Sequence, residues 1–184
     1  MKQIVFFLLL SGLGFKVAAQ TEQGNFLAGG NVQLNTSAHN TIIQVSPTIG
    51  YFFVDNFVGG GILNISHTKS GVAGEAARTT NFSIGPFVRY YVGNANVHPF
   101  LQGDVEFRST RYKTGTERTT LTGTDFFVGP GAAFFLNRNV ALEALAGYTH
   151  TANKDEKGSG GFAFKLGFQV YINRAQMKAT STVQ

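Results

Sequence analysis

Apolar residues alternate with small or polar residues along much of this chain, which is the period of a β-strand with two different faces. The clearest case runs from Phe162 to Ile172, where every second residue is apolar and the residues between them are Ala, Lys, Gly, Gln and Tyr. Four other stretches alternate in the same way, and three more are glycine-rich and less regular. The pattern predicts eight strands, at about 24–35, 43–53, 57–67, 81–92, 97–107, 121–136, 140–148 and 162–172.

A short motif repeats along the chain: a proline, a pair of aromatic residues four and five positions later, and then a polar turn that contains Asn. The copies begin at Pro47, Pro86 and Pro130, and a weaker copy runs from Leu166 to Asn173. The spacing is that of a two-stranded hairpin, so four copies indicate four hairpins. Because a proline removes a ladder hydrogen bond, we expect a bulge or a locally wide spacing at each one. The repeated aromatics predict a ring at a membrane–water interface, formed by Tyr51, Phe52, Tyr90, Tyr91, Phe134, Phe135 and Tyr171.

The connections between the predicted strands alternate between tight turns and longer segments. The longer segments lie at about 36–40, 68–78, 108–120 and 149–158. Short turns at one end and long loops at the other are typical of outer-membrane barrels. The sequence therefore predicts an all-β fold, an eight-stranded antiparallel up-and-down transmembrane β-barrel with both termini on the periplasmic side.

The N-terminal residues read as a targeting segment rather than as part of the fold. Lys2 gives a charged start, Ile4 to Phe15 an apolar run, and Val17-Ala18-Ala19 small residues before a cut ahead of Gln20. We therefore expect a signal peptide at 1–19, a barrel domain at 20–173 and a polar tail at 174–184. The chain has no cysteine, so disulfides do not support the exported domain.

The composition excludes some classes of function. Only 14% of the residues are charged and the formal net charge is +5. This charge is too small to indicate a nucleic-acid partner, and no basic or aromatic–basic motif supports one.

Alternation alone does not tell which face of the barrel is outside. A soluble, lipocalin-like ligand-binding barrel would bury the apolar face around a cavity. The small or polar face, however, carries charges that nearly cancel, as an enclosed interior requires. This predicts an apolar exterior and a filled lumen with a charge network of Arg89, Asp104, Glu106, Arg108, Glu143 and Lys165.

The steps Ile84-Gly85-Pro86 and Val128-Gly129-Pro130, together with the final strand, resemble the small outer-membrane barrels of the OmpA/OmpX type. The resemblance covers about residues 24–173. It implies a porin-like, non-enzymatic protein of the Gram-negative outer membrane, surrounded by outer-membrane lipids and lipopolysaccharide. Such a protein supports the envelope or presents surface loops to a partner for interaction or adhesion. The polar tail departs from the pattern, because such chains often finish on an aromatic residue of the last strand.

The residues that could carry chemistry are few. The four histidines lack metal-ligand spacing, so no metal and no cofactor is expected. His150 resembles the histidine of outer-membrane lipid A deacylases, which carry a His-x-Ser on a late strand. Here the serine position is Ala152, which has no hydroxyl group to act as a nucleophile. A deacylase-like, lipid A-modifying enzyme is therefore the less favoured alternative, and no catalytic residue is assigned.

The third long connection has the most distinctive composition. Its Thr and Tyr residues favour strand, and Thr114-Gly115-Thr116 makes a plausible tip, so strands five and six are expected to project as a ribbon. Arg111, Lys113 and Arg118 form a basic patch there. Contact with anionic lipopolysaccharide phosphates or with a partner's strand is one interpretation. A solvated loop without a specific contact is the other.

Overall fold

A computed structural model describes residues 20–36, 40–72, 75–93, 96–114, 117–153 and 158–173. The expected signal peptide at 1–19 and the tail at 174–184 lie outside these residues, so both stay predictions. Within the described ranges, no helix is long and apolar enough to cross a membrane. The strands are β1 (Phe26–Thr36), β2 (Asn40–Val54), β3 (Phe57–Val72), β4 (Glu75–Tyr91), β5 (Val97–Thr114), β6 (Glu117–Phe135), β7 (Val140–Asn153) and β8 (Ser159–Ile172).

The eight strands form a closed barrel in chain order. Each strand pairs antiparallel with the next one along the chain, and β8 returns to pair with β1. This confirms the predicted eight-stranded up-and-down barrel. An eight-stranded barrel has an interior just wide enough for side chains to fill, so the inward residues decide whether a channel remains.

The apolar face of the barrel wall points outward. In β8, Phe162 is 92% exposed and Phe164 59% exposed, whereas Gln169 is fully buried. The other strands show the same division, with Val, Ile, Leu and Phe on the outer surface. A lipocalin-like barrel would have the opposite arrangement, so the soluble alternative is wrong for this fold.

The strands extend further than the sequence predicts, always at the end away from the tight turns. The segments expected as long loops at 68–78 and 108–120 are largely strand, and β5 and β6 remain paired from Val97↔Phe134 to Thr114↔Glu117. β5 and β6 therefore continue as paired strands, as expected, but they do not form a separate two-stranded ribbon, because β4 also pairs with β5 up to Arg78↔Lys113. The expected loop boundaries are wrong. Alternating hydrophobicity ends where a strand leaves the apolar region, but backbone pairing between Thr- and Arg-rich segments continues. We call this end of the barrel the ribbon end and the other the turn end.

Three prolines interrupt the barrel wall without changing its register. Each is fully paired with the preceding strand, but the ladder to the next strand skips the proline and the residue before it. In an antiparallel strand the N–H and C=O of one residue point to the same neighbour, and for these residues that neighbour is the following strand. No bulge occurs, because the ladders resume in unchanged register at Thr48↔Ile62, Phe87↔Asp104 and Gly131↔Leu145.

The repeated motif has a repeated backbone contact at the turn end. In all four hairpins the inward aromatic donates its N–H to the carbonyl of an Asn that precedes the adjacent strand. The four N···O distances are 3.0 Å (Phe52 to Asn25), 2.8 Å (Tyr91 to Asn56), 3.1 Å (Phe135 to Asn96) and 2.6 Å (Tyr171 to Asn139). The motif is therefore the unit that joins one hairpin to the next.

Residues 20–25 lie across the turn end of the barrel. Gln20 and Thr21 are buried. The Thr21 hydroxyl donates to Asn56 Oδ1 at 2.6 Å, and the Asn56 N–H donates to the Thr21 carbonyl at 2.7 Å. These bonds hold the segment against the β2–β3 turn.

Candidate functional site

The lumen contains a layer of aromatic side chains near the turn end. Phe52, Tyr91 and Tyr171 are buried, and Phe135 packs on them with a ring-centroid distance of 4.8 Å to Tyr171. We call these four residues the aromatic layer. All four belong to the set that the sequence placed in an interface ring, and for these four that prediction is wrong.

The error has a simple physical reason. Successive side chains of a strand point to opposite faces, so the two members of a tandem aromatic pair cannot both contact lipid. The first members point outward instead: Tyr90 is 54% and Phe134 46% exposed, and Tyr51 packs against Phe53 on the outer surface. For Tyr51, Tyr90 and Phe134 the interface position stays a prediction.

Arg89 lies above the aromatic layer and is 2% exposed. Its Nη1 donates to both Glu143 oxygens, at 2.7 and 2.9 Å. Its Nε and Nη2 donate to Gln102 Oε1 at 3.0 and 2.7 Å. The guanidinium also stacks on Phe100, with its carbon 4.1 Å from the ring centroid. We call Arg89 and Glu143 the central ion pair. A buried charge is tolerated only with such pairing and hydrogen bonding, so both side chains are held in place.

Hydroxyl groups connect the central ion pair to the aromatic layer. Tyr171 donates to Glu143 Oε1 at 3.0 Å, and the hydroxyls of Tyr91 and Tyr171 are 2.8 Å apart. Arg89 Nη1 also donates to the Tyr91 hydroxyl at 2.8 Å. The aromatic layer and the central ion pair are thus joined into one cluster that fills the lower lumen. We call this cluster the plug.

Asp104 and Glu106 lie above the plug and are both nearly fully buried. Asp104 accepts a hydrogen bond from Gln102 Nε2 at 3.1 Å. Glu106 accepts one from the Ser83 hydroxyl and a longer one, 3.5 Å, from Asn64 Nδ2. Both carboxylates are therefore held by neutral donors.

Two cations complete the upper lumen. Arg108 forms an ion pair with Asp125 at 2.9 Å and donates to Asn153 Oδ1 at 2.7 Å. Lys165 lies over Phe127, with its Nζ 4.1 Å from the ring centroid. All six residues of the expected charge network thus face the lumen, but they do not form one network.

The structure divides these residues into the central ion pair, the Arg108–Asp125 pair and the Asp104, Glu106 and Lys165 groups between them. Sequence reasoning missed Gln102, which bridges Arg89 and Asp104. The sequence feature that could have identified Gln102 is its position between Phe100 and Asp104 on the inward face of β5.

A polar cavity of about 380 Å³ occupies the upper lumen. We call it the vestibule. Amide, hydroxyl and charged groups dominate its lining, which includes Asn64, Asn81, Ser83, Asp104, Glu106, Arg108, Asp125, Thr149, Thr151 and Lys165. The ring of Phe127 also belongs to the lining.

His150 and Thr151 do not form a catalytic pair. Thr151 points inward and donates to Asp125 Oδ1 at 2.8 Å. His150 therefore points outward, where it borders an apolar surface groove with Val88, Phe126 and Tyr148. No group of three or more His, Cys, Asp or Glu within the described ranges could hold a metal ion.

Two of the other three histidines lie within the described residues. His67 Nδ1 is 3.2 Å from the Thr80 hydroxyl. His98 is buried in the lumen with its ring edge-on to Phe135. His39 lies outside the described residues.

The basic patch lies on the β5–β6 ribbon. Arg111 is exposed and pairs with Thr120 in the ladder. The backbone register places Lys113 opposite Arg118. The three basic positions therefore share a short length of the β5–β6 pair, which β4 extends on the side of β5.

A family model described as the outer membrane protein beta-barrel domain matches residues 5–177. The chain belongs to this family. Membership implies the bacterial outer membrane, where the apolar exterior of the barrel faces lipid. Among proteins of curated function, no sequence matches this chain.

Solved structures with the same fold are distant in sequence. The outer membrane protein OprG of Pseudomonas aeruginosa has a TM-score of 0.53 at 12% identity, over 84% of this chain and 99% of that one. Neisserial surface protein A (NspA) has a TM-score of 0.51 at 16% identity, over 81% of this chain and 95% of that one. The outer membrane enzyme PagL has a TM-score of 0.41 at 13% identity, over 81% of this chain and 99% of that one. These similarities show the fold alone, and the last one supports no argument about activity.

Proposed function

We propose that this protein is a non-enzymatic outer-membrane barrel that supports the envelope and presents its ribbon end for interaction or adhesion. The observation that carries the proposal is the plug. The aromatic layer and the central ion pair fill the lower lumen, and residues 20–25 are bonded to the β2–β3 turn at the same end. A barrel closed in this way has no continuous channel through it, so its envelope role depends on its surface.

The ribbon end offers that surface. β5 and β6 continue in register to Thr114↔Glu117, and three basic positions lie within this stretch. Arginine and lysine bind phosphate groups and carboxylates by charge-assisted hydrogen bonds. Lipopolysaccharide phosphates and an acidic partner protein are the two kinds of ligand that fit this chemistry.

The enzymatic alternative has less support. A hydroxyl nucleophile needs a base within hydrogen-bond reach, and Thr151 is bonded to Asp125 inside the barrel while His150 lies on the outer face. We expect no release of fatty acid from lipid A by the purified protein.

Conductance in a planar lipid bilayer tests the closed lumen. Because the plug is continuous, we expect the purified protein to insert without discrete channel openings at moderate voltage. As a matched control, an open porin should conduct under the same conditions. Ohmic conductance of the unmodified protein would contradict the proposal.

Charge reversal on the ribbon tests the surface role. Arg111→Glu, Lys113→Glu and Arg118→Glu together should weaken binding of the protein to lipopolysaccharide-coated surfaces or to envelope partners. Arg138→Glu is the matched control, because Arg138 is an exposed basic residue in a tight turn at the opposite end. Equal binding by both variants would show that the ribbon charges have no such role.

A further inference from the structure

The strand pairing that closes the barrel stops halfway up its last seam. β1 pairs with β8 from Phe26↔Ile172 to Val32↔Leu166, although β1 continues to Thr36 and β8 begins at Ser159. Both strands stay paired on their other sides, to Thr36↔Thr41 and Thr151↔Ser159. Residues 33–36 and 159–165, all within the described ranges, are therefore two strand edges without ladder pairs between them. We call this gap the open seam.

The vestibule lies directly behind the open seam. Ala163 and Lys165 belong to the seam segment of β8, and both line the vestibule. Gly161 shares their face by strand alternation, and a Cβ atom there would have nothing within 4 Å. Free space therefore continues along the inner side of the seam.

The outer side of the seam is apolar. Phe162 and Phe164 of β8 are strongly exposed, and Val32, at the top of the paired part of β1, is 62% exposed. These side chains face the lipid tails. A polar cavity behind an unpaired seam with apolar edges suits a molecule that has a polar head and an apolar chain.

The charges of the vestibule indicate the kind of head group. The vestibule is lined by three carboxylates (Asp104, Glu106 and Asp125) and two basic side chains (Arg108 and Lys165), so the formal net charge of its lining is −1. Arg108 is already paired with Asp125. Within the described ranges, the ion pairs shorter than 4 Å include neither Asp104 nor Glu106. A positively charged group would complete the balance of this enclosed space.

We propose that the vestibule binds the positively charged head of a membrane amphiphile, which enters sideways through the open seam while its acyl chain stays outside against Phe162 and Phe164. The plug below closes the vestibule, so the site binds and does not conduct. This inference goes beyond the proposed envelope role and does not depend on it.

A single tryptophan can report entry of the head group, because the chain has no tryptophan and no cysteine. Thr149→Trp places it in the lining, opposite Gly161 in the ladder. The protein is reconstituted in phosphatidylcholine vesicles that contain a phosphatidylcholine with a nitroxide on its quaternary ammonium head. We expect the nitroxide lipid to quench this tryptophan. Quenching by a water-soluble nitroxide but not by the lipid would overturn the proposal, because the vestibule would then admit solutes but no lipid head.

Bridging the seam tests the route of entry. The double variant Leu34→Cys with Phe164→Cys places one cysteine on each strand inside the open seam. The two positions are two residues beyond Val32↔Leu166, the last pair of the ladder. A short bis-maleimide joins the two thiols whether the strands are separated or close. In the Thr149→Trp background, we expect this bridge to reduce quenching of the tryptophan by the lipid at least two-fold.

The control bridge joins Val32→Cys to Leu166→Cys, which are already paired, and it should leave quenching unchanged. Equal quenching before and after bridging of the upper pair would show that the lateral route is wrong. Asp104→Asn combined with Glu106→Gln should also lower quenching by the lipid, because its quaternary ammonium group would lose both carboxylates. Unchanged quenching in that variant would contradict the charge selectivity.

Discussion

At the scale of single residues, the lumen is organised around one buried guanidinium. Arg89 has a carboxylate, an amide and a phenol as hydrogen-bond partners and an aromatic ring as a stacking surface. Alternation in β4 and β7 predicted that Arg89 and Glu143 both face inward. It could not predict that they meet, because they are 54 positions apart and the stagger of the closed barrel decides which levels coincide.

Removing the charge of Glu143 should be costly, because it leaves the buried Arg89 without its counter-ion. We expect Glu143→Gln to lower the free energy of unfolding by about 3–5 kcal/mol, measured by urea titration of the protein in vesicles. Asp125→Asn is the matched control. Its partner Arg108 is partly exposed, so a loss within about 1 kcal/mol is expected. Similar losses of unfolding free energy for both variants would show that burial does not make the Arg89–Glu143 pair more important for stability than the partly exposed Arg108–Asp125 pair.

At the scale of strands, the Gly-Pro steps show how the wall tolerates missing hydrogen bonds. The ladder skips Gly85 and Pro86, and a Cβ at Gly85 would collide with the backbone of Val105 and Glu106 on β5. The same holds at Gly129 before Pro130, where the backbone of Ala146 and Gly147 lies close. Glycine before proline thus lets the two strands approach where the ladder is interrupted.

Gly85→Ala should therefore destabilise the barrel by about 1–3 kcal/mol through overpacking. Gly61→Ala is the matched control, because Gly61 pairs with Pro86 yet a Cβ there has nothing within 4 Å. Its effect should stay within about 0.5 kcal/mol. Thermal unfolding of both variants in the same detergent makes the comparison, and equal stability would refute the close-approach explanation.

The strands also show where sequence reasoning reaches its limit. Strict alternation from Phe162 to Ile172 was enough to assign both faces of β8. The upper ends of β5 and β6 lack that alternation, so their boundaries were placed too low. Tyr90 and Tyr91 are neighbours in one strand, so their side chains must face opposite sides of the wall. The prediction of an interface ring was wrong because it placed both members of each aromatic pair on the lipid side.

At the scale of the whole molecule, the fold is an apolar shell around a polar and plugged interior, with an unpaired seam in one half. The number of strands and their order follow from the repeat and the alternation, and the outward apolar face follows from the nearly balanced charges on the other face. The open seam could not be predicted, because residues 33–35 and 162–165 lie inside the predicted first and last strands. Pairing across the last seam depends on how the barrel closes, which alternation within single strands does not determine.

Quenching of single tryptophans by lipids brominated in the acyl chain tests this arrangement most directly. Phe164→Trp replaces an outward residue that is 59% exposed, and Phe87→Trp an inward residue that is 2% exposed. In vesicles, the brominated chains should quench the tryptophan at position 164 strongly and the one at position 87 weakly. Strong quenching at position 87 together with weak quenching at position 164 would contradict the outward orientation of the apolar face.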